Sequence, residues 1–310
     1  MTDLNLEFKE KFIKRYEKLT DINKLLEYSQ RFLRRSIRIN TLKMSVKELK
    51  ARLKDWNLEQ IPWCRDGFWI EHKRKERRDI GNLLEHNLGY FYVQEAASMI
   101  PPVVLNPKKH SVVLDACACP GSKTTQLSSM MENTGIIIAN DDNYSRINAL
   151  KYNLQKSGVS NVITSLGKAE RFSRLDIKFD YILLDAPCSG TGVIRKSPKT
   201  ALIWNPDAIK KLAGVQKHMI MLLFEKLNKG GAMVYSTCSL EPDENEAVVD
   251  FLLDRFEDAK LEEIKLNIER SPAVMEFEGI QFNKEVKKCL RIFPQDNDTE
   301  GFFVAKIKKI

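Results

Sequence analysis

The sequence predicts an α/β protein: a mostly parallel, Rossmann-like sheet with a smaller α+β domain at the N-terminus. In the C-terminal two thirds of the 310 residues, short apolar runs typical of buried strands alternate with stretches of helical spacing. Repeated alternation of this kind favours a parallel sheet that is covered by helices on both faces. The run Val113-Leu114-Asp115 leads into a tight turn of small residues and then a helix, which is the layout of a ligand-binding sheet.

The N-terminal domain is expected to cover residues 1–93, because the aromatic run at 90–93 gives way to good helix formers. Apolar positions at helical spacing predict helices before residue 33, and Ser45 is a candidate N-cap for a further helix. The predicted helices of this small α+β module cover 3–33 and 45–56, and its strands cover 36–40, 60–63 and 68–70.

The second domain, residues 94–310, carries the alternating pattern. Asn205-Pro206 marks a helix start, because proline suits the first helical turn, and an antiparallel strand pair is expected near the C-terminus. The predicted strands cover 111–115, 135–140, 161–165, 180–184 and 231–236, with the terminal pair at 289–293 and 302–306, and the predicted helices cover 122–132, 143–157, 206–227 and 241–254.

Composition places the chain among globular proteins of the cytoplasm. No apolar run approaches the roughly 20 residues of a membrane helix, and the first residues lack the features of a signal peptide. Six cysteines are few for a disulfide framework, so reduced thiols are expected. Cys117 and Cys119 are close in sequence, but zinc takes about four ligands and no histidine lies nearby, so we expect no metal.

The excess of positive charge is confined to the N-terminal part of the chain. Residues 1–110 hold 23 Lys and Arg against 15 Asp and Glu, whereas residues 111–310 hold 27 of each. One basic cluster is more often a solvated surface, but two clusters in one segment favour contact with nucleic-acid phosphates. The clusters comprise Arg31, Arg34, Arg35 and Arg38, and Lys73, Arg74, Lys75, Arg77 and Arg78.

The turn at residues 116–123 is the first candidate ligand site. Its small residues let a ligand approach the backbone closely, and Pro120 stiffens the turn. The sequence lacks a Gly-x-Gly-x-x-Gly fingerprint, and no glycine precedes Lys123 as a phosphate-binding P-loop requires. A nucleoside ligand without a triphosphate therefore fits better. The small residues are Ala116, Ala118, Gly121 and Ser122.

A carboxylate is expected to complete this site. Asp141 ends the second strand of the domain, where it can accept hydrogen bonds from both hydroxyls of a ribose. Arg146 follows five residues later, and Asp142 is the alternative carboxylate. A strand-end aspartate is also a common helix cap, but the turn at 116–123 makes the ribose role the better interpretation.

Two cysteines follow the strands predicted at 180–184 and 231–236. Cys188 lies in Asp-Ala-Pro-Cys-Ser-Gly, and Cys238 lies in Tyr-Ser-Thr-Cys-Ser-Leu. Because parallel strands end at the same edge of a sheet, we expect the two thiols to lie close together. A helix expected to begin at Glu241-Pro242 would place its positive end beside Cys238. A lone cysteine is commonly a buried structural residue, but this pair favours chemistry.

These segments together resemble the Sun family of RNA (cytosine-5) methyltransferases. The resemblance runs from Arg38-Ile39-Asn40 to Gly301-Phe302-Phe303, and its most specific element is the paired Pro-Cys and Thr-Cys. It implies a Rossmann-like methyltransferase sheet with S-adenosylmethionine as cofactor and an RNA-recognition-like N-terminal domain. The residues that it implies for cofactor binding are Cys117, Ala118, Cys119, Pro120, Gly121, Ser122, Lys123, Asp141, Arg146 and Asp185.

The resemblance also implies catalytic roles. Cytosine C5 is a poor nucleophile, and a thiolate that adds at C6 makes it reactive. By resemblance Cys238 is the nucleophile and Cys188 assists breakdown of the adduct, although DNA cytosine methyltransferases attack with the Pro-Cys cysteine and the residues alone leave both assignments open. Asp185 is implied to accept the cytosine amine, and Lys123 is implied to donate to the base.

Three positions depart from the family pattern. Cys119 stands where members usually have alanine, Lys168 where many have an aspartate that meets the adenine amine, and Gln295 where histidine is common. The change at Lys168 removes an acceptor, so adenine recognition is expected to use backbone groups or apolar packing. Trp204 is a candidate stacking aromatic, with packing in the core as the favoured interpretation.

The expected activity is RNA cytosine-5 methylation, with transfer RNA as the favoured substrate and ribosomal RNA as the nearest alternative. A non-catalytic RNA-binding or assembly factor on the same fold is a second alternative, against which the retained Cys188, Cys238, Lys123 and Asp185 argue. A small-molecule or protein methyltransferase would need neither the paired thiols nor the basic segment. We expect a cytoplasmic monomer without a membrane segment or a metal.

Overall fold

The computed structural model of the chain describes residues 8–76 and 79–310. The described residues divide into two compact units. The first unit contains residues 34–76, 79–185 and 222–234, and the second contains residues 8–33, 186–221 and 235–310. The sequence boundary near residue 94 stays a prediction. In the described part of the chain, every helix is too short or too polar to span a membrane.

Helices and strands alternate along much of the chain, as predicted. The helices are α1 (Glu10–Tyr16), α2 (Ile22–Gln30), α3 (Val46–Arg52), α4 (Leu84–Asn87), α5 (Ile100–Leu105), α6 (Ser122–Met130), α7 (Tyr144–Ser157), α8 (Lys199–Ile203), α9 (Pro206–Glu225), α10 (Glu246–Arg255) and α11 (Pro294–Asn297). The strands are β1 (Ser36–Ile39), β2 (Trp56–Gln60), β3 (Gly67–His72), β4 (Phe91–Val93), β5 (Val112–Asp115), β6 (Ile136–Asp141), β7 (Val162–Leu166), β8 (Phe179–Asp185), β9 (Leu227–Thr237), β10 (Ala259–Glu262), β11 (Glu276–Phe277), β12 (Ile280–Gln281), β13 (Leu290–Ile292) and β14 (Phe302–Lys309).

A parallel sheet organises the first unit. Its strands lie in the order β9, β8, β5, β6, β7, and β5 runs parallel to both β6 and β8. Leu114 pairs with Ile138 on one side and with Ile182 on the other. Leu114 and Ile182 are fully buried, which explains why the strands are continuous apolar runs. Because β5, β6 and β8 are parallel, their carboxyl ends lie at one edge of the sheet.

The first unit also contains an antiparallel sheet in the order β2, β3, β1, β4. Its core includes Ile37, Leu49, Phe68 and Phe91, all fully or almost fully buried. Ser45 caps α3 through a capping box, as predicted. The helix ends at Arg52 rather than near Trp56, which instead begins β2.

In the second unit, α1 and α2 contribute to an apolar core that also includes Trp204, Leu240 and Phe293. The predicted terminal strand pair is confirmed, since β13 and β14 are antiparallel. Helix α10, however, begins at Glu246, so the prediction of a helix from residue 241 is wrong. Residues 242–245 form turns instead of the first turn of a helix.

Candidate active site

Two thiols meet in the second unit. The Sγ atoms of Cys188 and Cys238 are 3.3 Å apart, and both residues are partly exposed. The segments that carry them are joined by backbone hydrogen bonds: Ala186 N–H donates to the Ser236 carbonyl at 2.9 Å, and Gly192 N–H donates to the Cys238 carbonyl at 2.9 Å. The expected proximity of the two cysteines is therefore confirmed.

The thiol of Cys188 is held in its protonated form. Its pKa is raised well above the usual thiol value, first because it is hydrogen-bonded to Cys238 and second because it is buried. The negative charges of Cys238 and Glu244 raise it further. A thiol in this environment is a proton donor rather than a resident thiolate.

Glu241, where a helix was expected to begin, is instead a buried residue with several side-chain partners. The Glu241 carboxylate has no exposed surface, and it accepts hydrogen bonds from Tyr16 Oη at 2.6 Å, Arg15 Nε at 2.7 Å and Trp204 Nε1 at 2.9 Å. Burial, followed by the charge of Glu241, raises the pKa of Tyr16 well above its usual value. Residues 242–245 form backbone-bonded turns and α10 begins only at Glu246, so the expectation of a helix N-terminus beside Cys238 is wrong.

Sequence reasoning missed the two buried glutamates that follow Cys238. Glu241 and Glu244 are both fully buried, whereas the sequence pattern predicted only that a helix begins at Glu241 and assigned these side chains no role. Trp204, also in this region, packs edge-on against Phe12 with ring centroids 5.6 Å apart, which confirms the favoured packing role. The available signal was an unusually acidic segment directly after a strand-end cysteine.

Gln295, the third position that departs from the family pattern, has a structural contact. Its Nε2 donates to Thr20 Oγ1 at 2.8 Å within the second unit.

The turn at residues 116–123 lies at the carboxyl edge of the first unit's parallel sheet. Ala118 N–H donates to the Asn140 carbonyl at 2.7 Å, and Gly121 N–H donates to the Ala118 carbonyl at 2.7 Å. Gly121 has φ +103°, and a Cβ there would approach Leu150 Cδ1 to 2.9 Å. Glycine at this position therefore serves both the backbone conformation and the packing of α7.

Asp141 is tied into the same edge. Its carboxylate is buried and accepts hydrogen bonds from Cys119 N–H at 3.2 Å, Asn143 N–H at 3.0 Å and Arg146 Nη2 at 2.8 Å. Asp142 is exposed and lies 4.0 Å from Arg146. The predicted residues Cys119, Asp141 and Arg146 are thus brought together.

Lys123 and Asp185 form an ion pair at this edge. Lys123 Nζ lies 2.7 Å from Asp185 Oδ2, with the Lys123 side chain 11% exposed and that of Asp185 25% exposed. Lys123 extends from the first turn of α6, and Asp185 is the last residue of β8. The pair joins two of the predicted site residues directly.

The chemistry of this edge suits a cationic nucleoside better than a phosphate. Burial raises the pKa of Cys117 well above the usual thiol value, and the surrounding carboxylates of Asp115, Asp185, Asp141 and Asp142 raise it further. Two of these carboxylates are paired, Asp141 with Arg146 and Asp185 with Lys123, so the edge keeps a small net negative charge. That charge suits a sulfonium cation better than a phosphate, and the carboxylates offer acceptors to ribose hydroxyls. The residues present therefore fit S-adenosylmethionine.

The cysteines of the turn lack the features of a metal centre. Burial, followed by the Asp141 charge, raises the pKa of Cys119 to about 12. Within residues 8–76 and 79–310, His, Cys, Asp and Glu side chains form no group of three or more that could hold a metal ion.

The predicted basic clusters have different environments. Arg38 is only 4% exposed, and it donates to Gln94 Oε1, the Ser122 carbonyl and Thr125 Oγ1, each at 2.9 Å. Burial lowers its pKa to about 10. The expectation that Arg38 contacts RNA phosphates is therefore wrong, because its guanidinium is buried and donates hydrogen bonds within the protein.

The other basic residues are nearer the surface. Arg31 pairs with Glu27, and Arg34 pairs with Glu59 and lies over the Trp69 ring. In the second cluster the described side chains are exposed, and Arg77 and Arg78 lie outside the described residues. The exposed residues are Lys73, Arg74 and Lys75.

Comparison with known families agrees with this geometry. The family described as 16S rRNA methyltransferase RsmB/F matches residues 102–308, and the N-terminal domain of 16S rRNA methyltransferase RsmF matches residues 8–96. The chain belongs to the RsmB/F methyltransferase family. The predicted resemblance to the Sun family is confirmed, as is the Rossmann-like methyltransferase fold. The predicted enzyme class, an RNA methyltransferase, and the predicted methyl donor, S-adenosylmethionine, are also confirmed.

Individual relatives cover this RsmB/F-family chain to different extents. It is 47% identical over 312 aligned positions to the tRNA (cytosine(49)-C(5))-methyltransferase of Pyrococcus abyssi (strain GE5 / Orsay), with 99% of both chains covered. It is 42% identical to the ribosomal RNA small subunit methyltransferase F of Pectobacterium carotovorum subsp. carotovorum (strain PC1), with 90% of this chain and 57% of that protein covered. The chain thus spans little more than half the length of this ribosomal RNA relative.

Solved structures show the same fold along nearly the whole RsmB/F-family chain. A methyltransferase homolog protein from Pyrococcus horikoshii has a TM-score of 0.88 at 38% identity, with 98% of this chain and 96% of that chain covered. NSun6 from Pyrococcus horikoshii, crystallised with SFG, has a TM-score of 0.84 at 26% identity, with 97% and 98% covered. SFG is an analogue of S-adenosylmethionine.

A buried carboxyl beside the cofactor turn makes stability depend on pH. Asp115 is 1% exposed, its Oδ2 accepts from Thr124 Oγ1, and burial raises its pKa to about 7. In the unfolded chain an aspartate has a pKa of about 4, well below the folded value. Protonated Asp115 therefore stabilises the folded state fully below ~pH 4, and this stabilisation is lost as pH rises through ~7. Asp115→Asn cannot ionise. Relative to the wild type, this variant is expected to gain on the order of 2 kcal/mol of unfolding free energy between about pH 5 and pH 8.

Urea unfolding of the wild type and the Asp115→Asn variant at both pH values measures this difference. A stability difference that stays constant with pH would contradict the prediction.

Proposed function

We propose that this chain methylates C5 of a cytosine in transfer RNA, with S-adenosylmethionine as donor, through a covalent bond between Cys238 and C6 of the base. The observation that carries the proposal is the 3.3 Å contact between the thiols of Cys188 and Cys238. One sulfur atom suffices to form an adduct, whereas two sulfur atoms that reach the same ring allow the adduct to be formed by one and resolved with help from the other.

The reaction needs a nucleophile because the aromatic ring of cytosine reacts poorly at C5. Addition of a thiolate at C6 breaks the aromatic conjugation and raises the electron density at C5. S-adenosylmethionine, when bound, supplies an electrophilic methyl group on a sulfonium centre. The residues proposed to hold it are Cys117, Ala118, Cys119, Pro120, Gly121, Ser122, Lys123, Asp141, Arg146 and Asp185.

The environment of Cys188 supports the assignment of Cys238 as nucleophile. Because the pKa of Cys188 is raised by its hydrogen bond to Cys238, by burial and by nearby negative charge, Cys188 keeps its proton. We assign the thiolate role to Cys238 because the family resemblance implies it. Once C5 has been methylated, the C5 proton passes to a base such as a water molecule, and the electron pair of the C5–H bond re-forms the C5–C6 double bond as the Cys238 sulfur leaves as a thiolate. The protonated Cys188 assists this breakdown by donating a hydrogen bond to the departing sulfur.

Lys123 and Asp185 are proposed to bind the target base. The Asp185 carboxylate can accept from the cytosine amine, and the Lys123 ammonium can donate to the base and stabilise negative charge that develops on it. Their 2.7 Å ion pair supports these roles, because each side chain holds the other in place before a base arrives.

Relatives with substrates in their names support transfer RNA as the target. The relative named as a tRNA (cytosine(49)-C(5))-methyltransferase matches this chain over 99% of both sequences. Ribosomal RNA stays as the alternative, because the family itself is described as a 16S rRNA methyltransferase, although the RsmF relative is considerably longer. A cytoplasmic location and a monomeric state are part of the proposal.

Bisulfite sequencing of total RNA, from cells that express the wild type and from cells that express an inactive Cys238→Ala variant, tests the proposed reaction and its substrate together. A cytosine in transfer RNA that resists conversion only with the wild type is the expected result. New resistant positions confined to ribosomal RNA would favour the alternative. No resistant position in either RNA would contradict the proposed activity.

Replacement of each cysteine separately tests which thiol is the nucleophile and which assists breakdown of the adduct. Cys238→Ala is expected to abolish methyl transfer, because no thiolate remains to add at C6. Cys188→Ala is expected to form the adduct but to resolve it slowly, so a covalent protein–RNA species should persist on a denaturing gel. A trapped species with Cys238→Ala, and none with Cys188→Ala, would reverse the two assignments.

The exposed basic segment is proposed to contact RNA phosphates. Each phosphate contact contributes about 0.7–0.9 to the slope of log Kd against log salt, so replacing Lys73, Arg74 and Lys75 by serine should lower that slope by up to about 3. Binding of unmodified transfer RNA between about 50 and 200 mM salt measures the slope.

A matched control removes the same charge from exposed lysines elsewhere in the chain. Lys210, Lys211 and Lys229 are exposed, and their replacement by serine should leave the slope nearly unchanged. If the two triple variants have equal slopes of log Kd against log salt, residues 73–75 do not form the RNA-binding surface.

A further inference from the structure

We propose that Glu244 is a positioning residue that holds the two thiols at reacting distance by binding the serine that follows each cysteine. The inference rests on the proposed roles of Cys188 and Cys238. Glu244 itself touches neither the methyl donor nor the base in this proposal. It acts through Ser189 and Ser239.

The hydrogen bonds of Glu244 converge from both cysteine segments. Ser189 N–H donates to its Oε1 at 2.9 Å, and the Ser189 hydroxyl donates to its Oε2. Ser239 Oγ donates to the same Oε2 at 2.5 Å. The two serine hydroxyls are themselves 3.1 Å apart. One carboxylate therefore joins the residue directly after Cys188 to the residue directly after Cys238.

A further donor strengthens this arrangement. Gln216 Nε2, on α9, donates to Glu244 Oε1 at 3.0 Å and to the Pro187 carbonyl at 2.8 Å. The residues on both sides of Cys188 are thus fixed, Pro187 through Gln216 and Ser189 through Glu244. All these residues belong to the second unit.

The burial of Glu244 points to a specific role. Its side chain is fully buried, and burying a carboxylate is unfavourable unless several donors surround it. The donors come from three segments: the loop after Cys188, the loop after Cys238 and α9. Backbone hydrogen bonds from Ala186 to Ser236 and from Gly192 to Cys238 already join the two loops, and Glu244 adds a link at the residue directly after each thiol. A shift of about 1 Å in a reacting group can cost on the order of 100-fold in rate, so a link at these residues bears on the spacing of the thiols.

The rate of disulfide formation between Cys188 and Cys238 measures their spacing without any substrate. Diamide oxidises two thiols to one disulfide, and it takes up the two protons and two electrons to become the hydrazine. Mass spectrometry of the cross-linked peptide gives the rate for this pair. Glu244→Ala is expected to slow the reaction by about 10-fold or more, because the side-chain links through Ser189 and Ser239 are lost while the backbone hydrogen bonds between the loops remain.

Glutamine should rescue the spacing. Glu244→Gln keeps an oxygen acceptor for Ser189 N–H and Gln216, and its amide can donate to serine hydroxyls that rotate. A rate within about 3-fold of the wild type is expected. Asp243→Asn, which removes a neighbouring carboxylate that pairs with Arg15, is the matched control and should leave the rate unchanged.

Equal disulfide rates for Glu244→Ala and the wild type would overturn the proposal. If Glu244→Ala does not fold, the Ser189→Ala and Ser239→Ala variants replace it in the test, because each removes one hydroxyl donor to Glu244. Disulfide formation in the double variant should be at least as slow as in either single variant. A double variant that is folded and reacts at the wild-type rate would also overturn it.

Methyl-transfer assays on the same variants separate this inference from the proposed function. A positioning role predicts that kcat falls in Glu244→Ala in parallel with the disulfide rate and recovers in Glu244→Gln, while KM for RNA changes little. A wild-type enzyme without methyl-transfer activity would refute the proposed function alone, since the disulfide measurement requires no catalysis.

Discussion

The candidate chemistry depends on one constraint, the side-by-side ending of two adjacent strands. β8 and β9 are neighbours in the sheet order, and the hydrogen bond from Ala186 N–H to the Ser236 carbonyl continues their association beyond β8. Because Cys188 and Cys238 stand at the same distance past this bond, two residues further along each segment, their sulfur atoms come to 3.3 Å. The pairing of the backbone thus places reactive groups that are 50 positions apart in the sequence.

The same constraint explains which parts of the fold could be predicted from the sequence. Leu114 and Ile182 lie in strands buried on both faces, so those strands are continuous apolar runs with clear limits. Residues that directly follow such strands must lie at the carboxyl edge of the sheet. The placement of Lys123, Asp141 and Asp185 at this edge could therefore be predicted from where the strands end, and so could the proximity of the two cysteines.

Buried polar groups account for what could not be predicted. Glu241, Glu244 and Arg38 belong to residue types that are usually exposed, and their sequence spacing does not identify the partners that bury them. Each is buried because distant segments supply its partners: Tyr16 and Trp204 bind Glu241, and Thr125 binds Arg38. Pattern reasoning therefore predicted a helix that begins at residue 241 and a phosphate contact at Arg38.

The distribution of charge separates two tasks within the first unit. At the cofactor turn the charges are paired or buried: Asp141 binds Arg146, Asp185 binds Lys123, and burial raises the pKa of Asp115 to about 7. The exposed side chains of Lys73, Arg74 and Lys75 have the sign that phosphates require. The attraction for the RNA backbone is therefore concentrated away from the cofactor turn. Reaction at C5 and C6 also requires the target cytosine to leave its stacked position, at a cost of a few kcal/mol that is smallest for an unpaired base. This cost favours cytosines in loops or at helix ends.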